Sequence, residues 1–221
     1  MKMINKNRKG FTLVEMMLSL AIIMLLGGVL VTLIVSISNS FTTTYNIDDS
    51  ADYAMLFAKG FENSFLSNSQ KGGASGSECY WHVTTEATGV PTLMVKTADS
   101  TSETSVFDPQ FLSSSGSGYK WEILMFYKWD EANECVLYRV ILKDKLNSTG
   151  FTYLYDGSFL VPRYADRKAN AGSTSRDIKL DTSEDSKALT AETLSSYGID
   201  SSQFSAEQLD GTYRDKIIFV N

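Results

Sequence analysis

FTLVEMMLSLAIIMLLGGVLVTLIVSI, Phe11–Ile37, decides the architecture. Over these 27 residues Glu15 is the only charge, and as a helix the stretch would run roughly 40 Å against a hydrocarbon core of about 30 Å. It is long enough to cross a membrane once. The residues before it, MKMINKNRKG, hold Lys2, Lys6, Arg8 and Lys9 and no acid. By the positive-inside bias that leader faces the cytoplasm, which places residues 39–221 on the far side. The chain as a whole carries 20 Lys+Arg against 26 Asp+Glu, a net charge of −6; taking away the four positive charges of the leader leaves −10. A basic surface that tracks nucleic acid is excluded for the exported part.

Three kinds of apolar N-terminal segment fit the length and charge. A cleaved secretory signal would use the small residues Ser36 and Ser38 around Ile37, but its apolar region spans only about 7 to 15 residues. An uncleaved anchor helix leaves Glu15 incidental, favoured only by the positive end of the helix dipole. The third reading comes from the junction Lys9-Gly10-Phe11-Thr12-Leu13-Val14-Glu15. A basic leader ending in Gly, then Phe, then a long apolar run with Glu at its fifth position, resembles the class III signal of type IV prepilins.

That resemblance covers residues 1–37, and the rest of the chain adds no motif to it. It implies cleavage between Gly10 and Phe11 by a membrane prepilin peptidase that also N-methylates Phe11. Gly at position 10 suits a narrow protease cleft, having no side chain and a permissive backbone. It further implies that Glu15 serves subunit assembly by pairing with the Phe11 amine of a neighbouring subunit. An unpaired carboxylate near hydrocarbon costs about 2.5 to 3.5 kcal/mol on insertion scales, so it needs a partner. The implied partners are the peptidase and N-methyltransferase, other pilin subunits, an inner-membrane assembly platform and, before assembly, membrane lipid. The implied fold is α+β and pilin-like, with a long N-terminal helix packed on an antiparallel β-sheet head.

On this reading the chain divides into a leader (1–10), a transmembrane and assembly helix (11–37), an amphipathic continuation (38–68) and a β-rich head (69–221). Gly27-Gly28 either weakens the helix, where related filament proteins use a central Pro, or is simply tolerated. Within Tyr45–Leu66 the residues Ala54, Phe57, Ala58, Phe61 and Phe65 recur at helical spacing between Asp48, Asp49, Asp52, Lys59 and Glu62, the pattern of a half-buried helix. Lys71–Gly76 is rich in helix breakers and ends it.

Strands are expected at Cys79–Thr85, Pro91–Thr97, Trp121–Trp129, Glu134–Lys143, Phe151–Tyr155, Phe159–Tyr164 and Lys216–Val220. The pair around Asp130–Asn133 reads as an antiparallel hairpin. Asp99–Gly118 and Asp166–Asp185 are Ser/Thr-rich and read as exposed loops, the place where binding specificity would sit. Ala188–Tyr197 and Ser205–Leu209 read as short helices.

Cys79 and Cys135 fall in a compartment where disulfides persist, and they lack metal or redox spacing. A bridge between them would contribute roughly 4 kcal/mol on the chain-entropy model; two separate thiols are the alternative. No nucleophile elbow, phosphate loop, HExxH or EF-hand pattern occurs. His82 is the single histidine and reads as a packing or surface residue. Asp177, Asp181, Glu184 and Asp185 alternate with lysines and fit no calcium loop. Trp81, Trp121 and Trp129 read as core, with a carbohydrate platform as the alternative.

The expected function is therefore structural, with no enzymatic activity, cofactor or metal: a minor pilin of a type IV pilus-like filament, its head exported. Retention of Glu15 argues for it, since the tip subunit of related secretion systems commonly lacks that acid. A pseudopilin of type II secretion or DNA uptake, and a membrane-anchored adhesive module that never polymerises, are the alternatives.

Overall fold

The computed structural model describes residues 12–70, 77–85, 89–108, 120–145, 152–161, 177–183 and 185–220. The chain forms two compact units, one ending at Asp48 and the other Asp49–Asn221. One helix, α1 (Leu13–Gln70), runs through both.

In the first unit α1 presents apolar side chains outward along its length, Leu13, Ile23, Leu25 and Ile34 among them. Among the described residues it is the one helix long and apolar enough to cross a membrane. Its hydroxyls bond back to the helix: Ser19 donates to the Glu15 carbonyl (2.8 Å), Thr32 to Val29 (2.8 Å) and Ser40 to Ser36 (3.0 Å). Hydrocarbon offers no water to such groups, so their internal satisfaction is what lets the segment be buried in lipid. The helix is continuous through Gly27 and Gly28.

In the second unit the final turns of α1 bury Tyr53, Ala54, Phe57, Ala58, Phe61 and Phe65, the stripe expected from their spacing. The strands are β1 (Glu78–Thr85), β2 (Pro91–Lys96), β3 (Thr104–Ser105), β4 (Trp121–Asp130), β5 (Cys135–Asp144), β6 (Thr152–Leu160), β7 (Asp177–Leu180) and β8 (Lys216–Val220). They make a five-stranded sheet ordered β3-β2-β1-β8-β7 and a three-stranded sheet ordered β4-β5-β6, with every pairing antiparallel. The sheets are joined by a two-way backbone exchange between Tyr127 on β4 and Arg214 just before β8 (2.6 and 2.8 Å). The fold is α+β and pilin-like, a long N-terminal helix followed by antiparallel sheets.

Phe61 is the hub of the core. Its ring meets Trp81 of β1, Tyr127 of β4, Tyr138 of β5 and Phe159 of β6 at centroid distances of 4.6 to 6.3 Å, so one helical side chain touches both sheets. The opposite face of the three-stranded sheet is covered by the segment leading to β8. Phe126 and Ile141 pack there with Leu189, Leu194, Ile199 and Tyr213. Burial on both faces explains why β4 and β5 are nearly continuous apolar runs rather than alternating ones. Within the covering segment, helix α2 (Ala191–Ser196) is capped by Thr190, whose hydroxyl accepts the Thr193 N–H, and ends at Gly198 in the left-handed region (φ +65°).

Four expectations are corrected. Phe151–Tyr155 and Phe159–Tyr164 are not two strands but parts of one, β6, which runs straight through Asp156-Gly157; residues 151 and 162–164 lie outside the described residues. The two segments read as loops each contribute a short strand, β3 and β7, the remainder of both lying largely outside the described residues. Ser205–Leu209 is a hydrogen-bonded turn and not a helix. Cys79 and Cys135 are both free thiols, on β1 of one sheet and β5 of the other. The bridge is not formed in this structure, where the Cys79 sulfur instead accepts the Ala98 N–H at 3.2 Å.

Candidate functional site

Gly10 and Phe11 lie outside the described residues, and the site is described from Thr12 onward. The first helical bond runs from Met16 N–H to the Thr12 carbonyl (3.1 Å), which makes Thr12 the N-cap. Its backbone N–H donates to Glu15 Oε2 (2.8 Å), its hydroxyl donates to the same oxygen (2.9 Å), and the Glu15 N–H returns a longer contact to Thr12 Oγ1 (3.3 Å). This reciprocal pattern is a capping box, in which two orphan N–H groups of the helix start are satisfied by side chains. The T-x-x-E spacing was visible in the sequence, yet Thr12 was not singled out there. Glu15 is thus more than a charge placed by the helix dipole, because one of its oxygens is held by the residue that begins the helix.

In the second unit, the residues that raised other chemistries are accounted for locally. Trp81 and Trp121 are fully buried; the Trp81 ring N–H donates to Ser64 Oγ (2.9 Å) and that of Trp121 to Asp49 Oδ2 (3.0 Å). With Trp129 also packed on the core, the three rings are not a binding platform. Asp181 pairs with Lys216 (3.1 Å) and Asp177 stands 3.9 Å from Lys179; Glu184 lies outside the described residues. Among the described residues no group of three His, Cys, Asp or Glu side chains converges to hold a metal.

His82 sits on β1 with Nε2 3.6 Å from Glu103, and its Nδ1 is buried with no hydrogen-bond partner among the described residues. Burial holds its pKa below the ordinary histidine value, against the pull of Glu103. The neighbouring Tyr80 hydroxyl is held by Glu103 (2.6 Å), and burial with that bond pushes it up to about 12; Ser186, which lines the same pocket as His82, donates its hydroxyl to Asp215 (2.9 Å). Burial likewise raises both thiols, Cys79 and Cys135, which favours their protonated form.

Residues 5–31 match the family model described as the prokaryotic N-terminal methylation motif. No curated protein and no solved structure matches the chain. The motif marks a type IV pilin-like class III signal, and the long apolar helix that begins at the Thr12–Glu15 box fits it. The match supports a type IV pilin-like or pseudopilin subunit, a class that is structural rather than catalytic. It implies processing by a prepilin peptidase and assembly with other pilins, and it is consistent with a membrane anchor.

Proposed function

We propose that this chain is a minor pilin of a type IV pilus-like filament. It is made as a precursor, cleaved between Gly10 and Phe11, N-methylated at Phe11 and polymerised through α1. The observation that carries the reading is the methylation motif at residues 5–31, which runs directly into an apolar helix whose first turn holds Glu15.

Glu15 is the assembly residue on this reading. Within one chain, Thr12 supplies two donors to a single carboxylate oxygen. That lessens the cost of a carboxylate at the membrane edge, which is about 2.5 to 3.5 kcal/mol without a partner. After cleavage the Phe11 amine of a neighbouring subunit supplies the opposite charge, and pairing with it sets the axial register as the subunit leaves the bilayer.

Intact-mass analysis and N-terminal sequencing of the membrane-extracted protein from its own host test the reading, with Gly10→Val as the control. The expected product begins at methylated Phe11 and is lost in the variant. A chain that still carries Met1, or that begins at Asn39, overturns it.

A further inference from the structure

His82 on β1 shares a cavity of about 220 Å³ with four carboxylates and one lysine, brought together from three other segments. Glu103 comes from the loop before β3, Asp181 and Asp185 from the residues after β7, and Asp215 and Lys216 from the entry to β8. Neither ring nitrogen of His82 has a hydrogen bond among the described residues: Nδ1 is buried without a partner, and Nε2 stands 3.6 Å from Glu103, beyond hydrogen-bond length. Glu103 meanwhile accepts the Tyr80 hydroxyl at 2.6 Å.

The same cavity is where the segment leading to α2 is tied to the sheet. Asp215 Oδ1 accepts the Ser186 hydroxyl and the Lys187 N–H, both at 2.9 Å, and the Asp215 N–H donates to the Lys187 carbonyl (3.0 Å). Lys216, the cross-strand partner of His82, is held by Asp181 at 3.1 Å and lies 4.1 Å over the Tyr80 ring. The closed cavity therefore suits a neutral imidazole. An imidazolium would sit beside Lys216 with a buried Nδ1–H that has no acceptor, and an unpaired buried donor is costly. Burial holds the His82 pKa below the ordinary 6.5; Glu103 pulls against it, Lys216 reinforces it and Asp215 opposes it.

We propose that a proton taken up by His82 opens this cavity and releases Ser186 and Lys187 from Asp215. Parting that contact bares Nδ1 to water and frees a carboxylate for the imidazolium. The opposite wall stays, because Glu103 faces Nε2 and a charged ring draws it closer. Once the cavity is open the solvated ring takes its proton with ordinary affinity, so acid favours the open form. The closed form is fully favoured above about pH 6.5 and loses ground by up to about tenfold per pH unit below it, until the closed form is itself protonated. His82 is the single histidine of the chain, and no other side chain with an ordinary pKa changes charge between about pH 5.5 and about pH 7.5. One residue thus carries the switch.

The test uses the full chain in detergent micelles. Its one imidazole Cε1–H signal is followed by NMR and is expected to titrate below 6.5. Amide hydrogen exchange is measured between about pH 7.5 and about pH 5.5, above the range where ordinary carboxylates titrate. It is expressed as protection relative to an unstructured peptide, so that the intrinsic pH dependence of exchange cancels. Protection of the Lys187 and Asp215 amides is expected to fall several-fold over that range, by at most about tenfold. It is expected to stay level in His82→Phe, which keeps a ring and cannot take a proton. His82→Asn gives the same reading if the phenylalanine variant fails to fold. Level protection in the unaltered chain, an equal fall in the variant, or a ring that titrates at or above 6.5 would each overturn the proposal.

Discussion

The ring of Tyr138 on β5 occupies the space that a side chain on Gly157, its direct cross-strand partner on β6, would fill. The same tyrosine donates its hydroxyl to Glu62 Oε1 of α1 at 2.6 Å. A glycine on one strand thus lets an aromatic ring on the next lie flat and reach the helix. Gly157→Ala is expected to destabilise the second unit by about 2 kcal/mol through overpacking. The measurement is urea unfolding of the detergent-solubilised chain followed by tryptophan fluorescence. In a Tyr138→Ala background the same change should have a much smaller effect, because the two residues share one space.

Tyr127 makes the opposite prediction. Its ring packs 4.6 Å from Phe61, and its hydroxyl is fully buried with no hydrogen-bond partner among the described residues. Removing an unpaired buried polar atom relieves a desolvation penalty, so Tyr127→Phe should leave stability unchanged or raise it by up to about 1 kcal/mol. Phe61→Ala, which empties the hub between the sheets, should lower stability by about 3 to 5 kcal/mol. The same urea titration reads both, and a destabilising Tyr127→Phe would mean that the hydroxyl is hydrogen-bonded.

Lys128 holds Asp210 at 2.8 Å, and this ion pair brings the carboxyl from 3.8 down to about 2. The folded value is depressed, so the pair's contribution is complete above the unfolded value near 4 and is lost as pH falls from about 4 to about 2. Both side chains are about one-third exposed, and solvent screening limits the contribution to about 1 kcal/mol. Asp210→Asn should lower stability by that amount at pH 6 and by almost nothing at pH 2. Equal losses at both pH values would show that the ion pair is not the source.

Glu134 closes the β4–β5 turn with φ +50°, a conformation unfavourable for a residue with a side chain. Its carbonyl accepts the Val161 N–H, a bond that glycine would keep. Glu134→Gly is therefore expected to raise the midpoint of unfolding by the equivalent of about 0.5 to 1 kcal/mol.

At the start of α1 the cap and the charge can be separated. Glu15→Gln keeps an acceptor for the Thr12 N–H, since glutamine serves in a capping box, but it removes the negative charge. Thr12→Val keeps the charge and removes the hydroxyl. On the proposed function, Glu15→Gln should insert in the membrane normally and be lost from sheared filaments. Thr12→Val should be partly incorporated. Quantitative immunoblots of membrane and filament fractions measure the difference, and normal incorporation of Glu15→Gln would remove Glu15 from assembly.

How much of this was legible in the sequence follows from where the information lies. The stripe from Ala54 to Phe65 and the hairpin around Asp130–Asn133 were readable because their periodicity and turn chemistry are local. Asp156-Gly157 was misread as a break, since the ring that fills the glycine's missing side chain comes from another strand. β3 and β7 are held by ladder bonds rather than by a run of buried side chains, Ile178 being the buried residue of β7, so no hydrophobic signal announced them. Cys79 and Cys135 are free in the structure, and compartment and spacing alone do not say whether two cysteines meet. At the candidate site the charge of Glu15 was legible and its partner was not, although Thr12 stands three residues away.

On the proposed function, which requires the second unit to be exported, the order of the five-stranded sheet has a bearing on delivery. β8 lies between β1 and β7 and comes from the far end of the chain, so the sheet cannot close on its central strand until residue 220 has cleared the membrane. Until then β1 exposes a bare edge, Phe65 lacks the ring of Phe219, and Trp81 lacks its cross-strand partner Ile217. Contacts this distant in sequence form late, and a half-delivered head is a sticky one. Emergence of the polypeptide, rather than its intrinsic folding speed, therefore sets the earliest moment at which a finished head can exist, and any escort that shields it has to act before that moment.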